Sequence, residues 1–309
     1  MRIAVVDLGT NTFNLLIAEI PSGARFQTFY SEKLPVRLGE GGINKGYIAE
    51  AAYLRGLEAM DNYASTCRQF NADKILAFAT SAVRNASNGK QFAEDVLQRT
   101  GISIQIIDGA KEAEYIYKGV AAALQFNETH SLIIDIGGGS TEFIIASKDG
   151  LKWKQSFEIG ASRLLQKFTP SDPISAEEVQ RIEEYLTVTL QPMFEAARAH
   201  EVNELIGASG SFESLADMVV ARFHPEQKID HATEYPFNLE ECEILHNELL
   251  RSTREERLHM KGLVAMRVDM IVISAILVEF IIRQLGIPSM RMSAYALKEG
   301  VLSDFLNAE

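Results

Sequence analysis

The segment VVDLGTNTFNLLI at residues 5–17 is similar to a second segment, IIDIGGGSTEFII, at residues 133–145. Each copy runs from two β-branched residues through Asp, an apolar residue and Gly into a turn of small and polar residues, and then into a second apolar run. A single strand, glycine turn and strand is a common hairpin pattern. Two copies in one chain predict an internal repeat, in which each hairpin opens one half of the molecule.

The segments that follow the two hairpins come in the same order of strands and helices. After the first hairpin the sequence predicts strands at 26–31, 74–79 and 103–107, and helices at 48–70, 89–100 and 110–124. After the second it predicts strands at 153–157, 204–208 and 291–293, helical segments at 161–200 and 211–286, and a last helix at 295–306. This order predicts an α/β fold of two mixed five-stranded sheets, flanked by helices and facing each other across a cleft.

The length and composition are typical of a folded protein with two domains. The chain has 309 residues, of which 47% are hydrophobic and 23% charged, and a domain commonly holds about 100 to 200 residues. We expect a first domain at 1–125 and a second at 126–295, with a last helix at about 296–309 that packs back on the first. The formal net charge of −12 disfavours binding to a nucleic acid polymer, because the surface as a whole repels polyanions.

Cysteine usage and the apolar segments predict a cytoplasmic protein that does not enter a membrane. Cys67 and Cys242 lie far apart in the chain and match no metal-ligand spacing. The first residues form no secretory apolar region, since Asp7 follows only four apolar residues. The most apolar stretch, at 270–282, is shorter than the about 20 residues that a membrane span needs.

The Asp and Gly of each hairpin suggest a phosphate site that includes a metal ion. A glycine turn lets backbone amides approach an anion closely, and Gly9 and Gly137 begin the two turns. Asp7 and Asp135 would then face each other, placed to hold a hydrated Mg²⁺ that bridges phosphate oxygens. The alternative is a pair of hairpins whose Asp residues only cap turns.

Several motifs together resemble the exopolyphosphatase/guanosine pentaphosphate phosphatase family. This family belongs to the actin-like ATPase superfamily, which also includes sugar kinases and heat-shock chaperones. The matching segments, spread over nearly the whole chain, are VDLGTNTFNLL (6–16), ATSAVRNASN (79–88), IDGAKEAEYIYKGV (107–120), IDIGGGSTEF (134–143), IGASGSFESLA (206–216), MRVDMIVISAILV (266–278) and SAYALKEGVL (293–302). The resemblance implies two ribonuclease H-like (actin-like) domains.

The resemblance also implies roles for individual residues. Glu112 matches the base that activates water for attack on the terminal phosphorus, although an acidic residue also suits a solvated helix start. Glu142 would assist catalysis and, with Asp7 and Asp135, hold the metal, unless it is an exposed strand residue. Arg84 matches a phosphate-contacting Arg, and the alternative is an ordinary surface Arg. The other phosphate-binding residues implied are Gly9, Thr10, Asn11, Thr12, Gly137, Gly138, Gly139, Ser140, Thr141, Gly207, Ser209 and Gly210.

These motifs do not decide the roles of Glu114 or of Arg267 and Asp269. Glu114 occupies a position where many family members have Arg, so one substrate contact of the family is in question. Arg267 and Asp269 interrupt an apolar helix, and they fit a buried ion pair as well as a site feature.

The resemblance favours an exopolyphosphatase, which removes the terminal phosphate of inorganic polyphosphate with Mg²⁺, with a monovalent cation such as K⁺ as a further candidate cofactor. Guanosine pentaphosphate is the alternative substrate. An ATP-dependent sugar or acetate kinase and a non-catalytic nucleotide sensor are hypotheses from other classes, because one fold supports many functions. The chain resembles the short, two-domain form of the family, for which we expect a preference for short substrates and a homodimer.

Overall fold

Strand β1 (Arg2–Leu8), which carries Asp7, lies at the centre of the first sheet. The computed structural model describes residues 1–21, 26–229 and 232–308. The other strands of this sheet are β2 (Phe13–Glu19), β3 (Gln27–Leu34), β4 (Lys74–Ala79) and β5 (Ile104–Ile106). Their order is β3-β2-β1-β4-β5, with β2 antiparallel and β4 parallel to β1. The run from Ile3 to Val6 is fully buried, as expected of a central strand covered on both faces.

The second sheet repeats this arrangement around the strand that carries Asp135. Its strands are β6 (Ser131–Ile136), β7 (Thr141–Ser147), β8 (Gly150–Phe157), β9 (Glu204–Ala208), β10 (Glu234–Phe237) and β11 (Met290–Ser293). The order is β10-β11-β9-β6-β7-β8, with β7 antiparallel and β9 parallel to β6. The predicted pair of mixed sheets is therefore confirmed.

The second sheet differs from the prediction because it has a sixth strand. Residues 211–286 were predicted to be helical throughout, but β10 lies within them and pairs antiparallel with β11. β10 has only four residues and includes Pro236, and a proline within a run argues against a strand. At the edge of a sheet, where one side needs no backbone donor, proline is tolerated.

Twelve helices are described. In the first half they are α1 (Glu50–Gln69), α2 (Ser81–Arg84), α3 (Gly89–Thr100) and α4 (Gly109–Ala123). In the second half they are α5 (Ala161–Phe168), α6 (Ala176–Thr189), α7 (Gln191–Ala199), α8 (Ser209–Phe223), α9 (Leu239–Arg251), α10 (Arg254–Leu258), α11 (Ile271–Leu285) and α12 (Leu297–Ala308). None of these helices combines the length and the apolar character that a membrane span requires.

Helices α4 and α12 form a layer that both sheets share. They pack against each other, while α4 contacts β7 and β8 and α12 contacts β1. The two helices approach through glycines: a Cβ on Gly119 would lie 1.9 Å from the carbonyl oxygen of Ala296, and one on Gly300 would lie 1.7 Å from that of Tyr115. Because this layer contacts both sheets, the domain boundaries at residues 125 and 295 stay predictions. Glu309, at the end of the predicted last helix, lies outside the described residues.

Candidate active site

A pocket lies between the two halves, where both hairpins turn. Its lining combines the ends of β1 and β6, the start of α8, and residues of α4 and α12. Of the residues predicted for the site, the pocket is lined by Asp7, Gly9, Thr10, Asn11, Thr12, Glu112, Asp135, Gly137, Gly138, Gly139, Ser140, Glu142, Ser209 and Gly210. Segments more than a hundred residues apart in the chain therefore meet in one place.

The two hairpins have the same register and the same turn. Asp7 pairs with Asn14 across the first hairpin, and Asp135 pairs with Glu142 at the corresponding place in the second. A Cβ on Gly9 would lie 2.8 Å from the carbonyl oxygen three residues later, and a Cβ on Gly137 would lie 2.9 Å from its counterpart. Only glycine fits so close an approach without a shift of the backbone.

The carbonyl groups of both turns accept hydrogen bonds from backbone amides of neighbouring segments. In the first turn, the carbonyl of Thr10 accepts from the Gly39 amide and that of Asn11 accepts from the Arg37 amide. In the second, the carbonyls of Gly137, Gly138 and Gly139 accept from amides at the start of α5. A planar trans peptide holds its N–H opposite its C=O. The N–H groups of residues 11–12 and 138–140 therefore point away from the amides that donate to these carbonyls. An anion-binding turn requires this orientation.

Four carboxylates converge in the pocket, and each accepts a hydrogen bond from a neighbour. Asn14 Nδ2 donates to Asp7 at 2.9 Å, and Ser156 Oγ donates to Glu142 at 2.6 Å. The Ser209 hydroxyl donates to Asp135, and Arg84 Nη1 donates to Glu112 Oε2 at 2.8 Å. Glu112 is 6% exposed and Glu142 1% exposed, so neither is the solvated residue that the alternative interpretation required.

Burial raises the pKa of all four carboxyl groups. It raises the pKa of Asp135 to about 7 and that of Glu112 to about 8, although the Arg84 charge opposes the second shift. The pKa of Glu142 is raised by burial and by the neighbouring charges of Glu112 and Asp135, and burial also raises that of Asp7. The group as a whole therefore favours bound protons or a bound cation at neutral pH.

Arg84 connects the pocket to the opposite half of the molecule. Besides Glu112, its guanidinium contacts Glu158 at 3.4 Å. Glu158 also accepts from Ser81 Oγ at 2.9 Å and from Arg163 Nη2 at 2.6 Å. The Arg84 side chain is only 15% exposed, so it is not an ordinary surface Arg, and its contact with phosphate stays a prediction.

Two cations of the pocket, Lys33 and Lys298, were missed by the sequence analysis, which left Arg267 open between a buried ion pair and a site feature. Lys33, Arg267 and Lys298 line the pocket together with Glu213. They come from β3, from a short 3₁₀ turn and from α12, so no local motif joins them. The weak signals available were the charges within apolar segments at Arg267 and Lys298. Asp269 does not pair with Arg267; it accepts from Arg254 Nε at 2.7 Å.

Three predicted residues lie beside the pocket rather than in its lining: Arg84, Thr141 and Gly207. Thr141 is buried, with its hydroxyl donating to the carbonyl of Ile159 at 3.3 Å. Gly207 lies in β9 beneath Phe212, whose ring leaves no space for a Cβ. Glu114, the departure from the family pattern, points elsewhere, where its hydrogen bonds with three lysines, that of Lys118 the strongest, lower its pKa to about 2.

The donor set of the pocket suits a hard divalent cation. Carboxylate oxygens are the ligands that Mg²⁺ prefers, and Mg²⁺ usually takes one or two of them while keeping waters and substrate phosphates. Within the described residues, no three His, Cys, Asp or Glu side chains are gathered closely enough to hold a metal by themselves. The arrangement therefore fits a metal shared with water and phosphate, rather than a closed protein cage.

The fold and the pocket define an α/β protein in which buried carboxylates and two glycine turns meet between two mixed sheets. Within that class, the chain belongs to the Ppx/GppA phosphatase family, whose pattern matches residues 16–309. The predicted family, fold class and enzyme class are thereby confirmed: the protein is a phosphatase, which is a hydrolase.

Individual relatives agree with this assignment. Exopolyphosphatase 1 of Mycobacterium tuberculosis is 27% identical over 310 residues, which cover 100% of this chain and 89% of the relative. The crystal structure of an exopolyphosphatase from Cytophaga hutchinsonii is 38% identical, covers 100% of this chain and 98% of that one, and has a TM-score of 0.96. A Ppx/GppA family member from Aquifex aeolicus, 22% identical with a TM-score of 0.79 over 100% of this chain and 98% of that one, shares the fold.

Proposed function

We propose that the protein is an exopolyphosphatase that hydrolyses the terminal phosphoanhydride bond of inorganic polyphosphate with the help of Mg²⁺. The names of the relatives from Mycobacterium tuberculosis and Cytophaga hutchinsonii support this substrate. The observation that carries the proposal is the position of Glu112, buried and bonded to Arg84, in a pocket between two facing glycine turns.

Glu112 serves as the general base in this proposal. It takes a proton from a water molecule as the water oxygen attacks the terminal phosphorus, and the bond between that phosphorus and the bridging oxygen breaks. The products are orthophosphate and a polyphosphate shorter by one unit. A pKa of about 8 suits a base that works near neutral pH, and Arg84 fixes the orientation of the carboxylate at 2.8 Å.

Asp7, Asp135 and Glu142 are the candidate ligands for Mg²⁺, of which one or two would hold the cation together with water and substrate phosphates. When bound, the cation neutralises charge on the transferring phosphoryl group and on the leaving oxygen. The protein's own part is to bind and orient the chain. The amides of the two turns approach the phosphates. The hydrogen bonds accepted by the carbonyl groups of each turn keep those amides in place.

Guanosine pentaphosphate is the second candidate substrate. It contains the same kind of terminal phosphoanhydride bond, and the family includes phosphatases for both. Its hydrolysis would use the same residues, so the two candidates differ in what binds beyond the reacting phosphate.

A parallel phosphate-release assay tests the proposal. The substrates are tripolyphosphate, long-chain polyphosphate and guanosine pentaphosphate, each with Mg²⁺ and with excess chelator, and ATP with a sugar panel is the control. We expect chelator-sensitive release from polyphosphate and no acceptor-dependent use of ATP. Release from guanosine pentaphosphate alone would replace the proposed substrate, and equal release with chelator would contradict the role of Mg²⁺. The ratio of short-chain to long-chain turnover also tests the expected preference for short substrates.

A further inference from the structure

A second charged group lies in the pocket beside the four carboxylates. We call Lys33, Arg267 and Lys298 the basic cluster. The carboxylate of Glu213 lies among them and forms an ion pair with the Lys33 ammonium group. Lys33 belongs to β3 of the first half and Glu213 to α8 of the second, so the pair crosses the cleft.

Glu213 is an anion surrounded by cations. Burial by itself would raise its pKa, but Lys33, and then Lys298 and Arg267, lower it below the usual range. Lys298 also pairs with Glu299 at 3.8 Å, and the charge of Asp135 acts on Arg267, so Glu213 shares these cations with other carboxylates. A phosphate in the place of the Glu213 carboxylate would meet the same cations.

The basic cluster leads from the pocket mouth toward the proposed metal ligands. The side chains of Lys33 and Glu213 are 37% and 36% exposed, whereas that of Lys298 is 16% exposed. Burial lowers the pKa of Lys298, but the charges of Glu299, Asp7 and Glu213 raise it, with a net increase. Lys298 lines the same pocket as Glu213 and Asp7.

Arg267 is held in place by the fold. Its guanidinium covers Gly210 so closely that a Cβ on that glycine would lie 1.6 Å from the Arg267 Nη2 atom. The start of α8, which also carries Glu213, is therefore fitted to this side chain. Arg267 is therefore a built part of the pocket wall rather than a flexible surface side chain.

We propose that Glu213 occupies the place of a substrate phosphate, so that the incoming chain must displace its carboxylate from Lys33 and the rest of the basic cluster. This inference rests on the proposed function, and it makes Glu213 a residue that sets affinity and substrate selection rather than a catalytic residue. The competing interpretation is that the Lys33–Glu213 pair only ties the two halves together.

The two interpretations predict opposite effects for one substitution. If Glu213 competes with phosphate, Glu213→Gln removes a repulsive charge from the subsite, and tripolyphosphate binds about three- to tenfold more tightly. Lys33→Met removes an attractive charge, and binding weakens by a similar factor. If the Lys33–Glu213 pair only connects the two halves, both variants lose the same ion pair. Each variant then binds tripolyphosphate more weakly than the parent protein, or equally tightly.

The test is calorimetric titration of Mg²⁺ and tripolyphosphate into variants that also carry Glu112→Gln, so that turnover does not interfere. Glu183→Gln is the matched control, because Glu183 pairs with Arg283 at 2.7 Å in a part-buried site away from the pocket. We expect tighter binding for Glu213→Gln, weaker binding for Lys33→Met and no change for the control. Unchanged or weaker binding for Glu213→Gln would overturn the inference. Absence of tripolyphosphate binding to the parent protein would overturn the proposed function, and this inference with it.

Discussion

Burial and ion pairing act in opposite directions on Glu112. Burial raises its pKa, and the Arg84 guanidinium lowers it, with a net result of about 8. The choice between a site residue and a solvated helix start could not be made from the sequence, because that choice depends on burial. Only the fold, which brings β7 and β8 against α4, removes Glu112 from water.

The raised carboxyl pKa values predict how stability depends on pH and Mg²⁺. The pKa of Asp135 rises from 3.8 to about 7 and that of Glu112 from 4.5 to about 8. The folded state therefore binds more protons than the unfolded state between these values. The free energy of unfolding without metal should fall as the pH rises from about 5.5 to about 8. Because Mg²⁺ favours the ionised form, its stabilisation should be larger at about pH 8 than at about pH 5.5.

Thermal unfolding with Mg²⁺ and with chelator, at both pH values, checks this expectation. Asp135→Asn should reduce the pH dependence of the metal-free protein, because it removes one of the groups with a raised pKa. Glu114 and Glu178, whose pKa values are lowered from 4.5 to about 2, change stability mainly below about pH 5.5, so they contribute little to the difference between the two pH values. An equal Mg²⁺ effect at both pH values would show that the pocket does not couple protons to the metal.

At the level of elements, the two hairpins and the order of strands were predictable because they rest on local patterns. β1 and β6 are runs of β-branched residues that end in Asp-x-Gly, and this pattern needs no tertiary information. β10 was not predictable, because Pro236 and its four-residue length hide it. The basic cluster was not predictable either, since its members come from three separate elements that only the fold joins.

The contact between α4 and α12 carries a prediction about packing. A Cβ at position 300 would lie 1.7 Å from the carbonyl oxygen of Tyr115, so Gly300→Ala forces the helices apart. We expect a loss of about 1 to 3 kcal/mol in the free energy of unfolding, beyond any gain in helix propensity. Activity should fall too, because α4 carries Glu112.

Urea unfolding of Gly300→Ala measures this loss. The control is Asn307→Ala, an exposed position on the same helix, which should change stability by less than about 0.5 kcal/mol. If Gly300→Ala proved as stable as the parent protein, the close helix contact would not exist in solution.

At the scale of the whole molecule, Arg163 joins the two halves across the pocket. Its Nε donates to the carbonyl of Gly139 at 2.8 Å, and its Nη1 donates to that of Ile43 at 3.0 Å. A third bond, from Nη2, goes to Glu158. One planar guanidinium thus supports the second glycine turn and connects it to a loop of the first half.

Lysine cannot make these three contacts at once, because it is a point charge without a fork of donors. Arg163→Lys should therefore lower the free energy of unfolding by about 2 kcal/mol and raise KM for tripolyphosphate more than it lowers kcat. The control is Arg222→Lys, since Arg222 forms an exposed pair with Glu248 within the second half. Equal effects of the two substitutions on KM and stability would contradict the joining role of Arg163.

The role of Glu112 as the base is tested most directly by the rate of phosphate release from tripolyphosphate by Glu112→Gln, compared with Glu114→Gln. The two residues lie two positions apart on α4, but only Glu112 lines the pocket. Loss of a general base should lower kcat by about 10²- to 10⁴-fold for Glu112→Gln, while Glu114→Gln keeps kcat within about twofold of the parent protein. Full activity of Glu112→Gln, with tripolyphosphate still hydrolysed in a Mg²⁺-dependent manner, would contradict the assignment of Glu112 as the base.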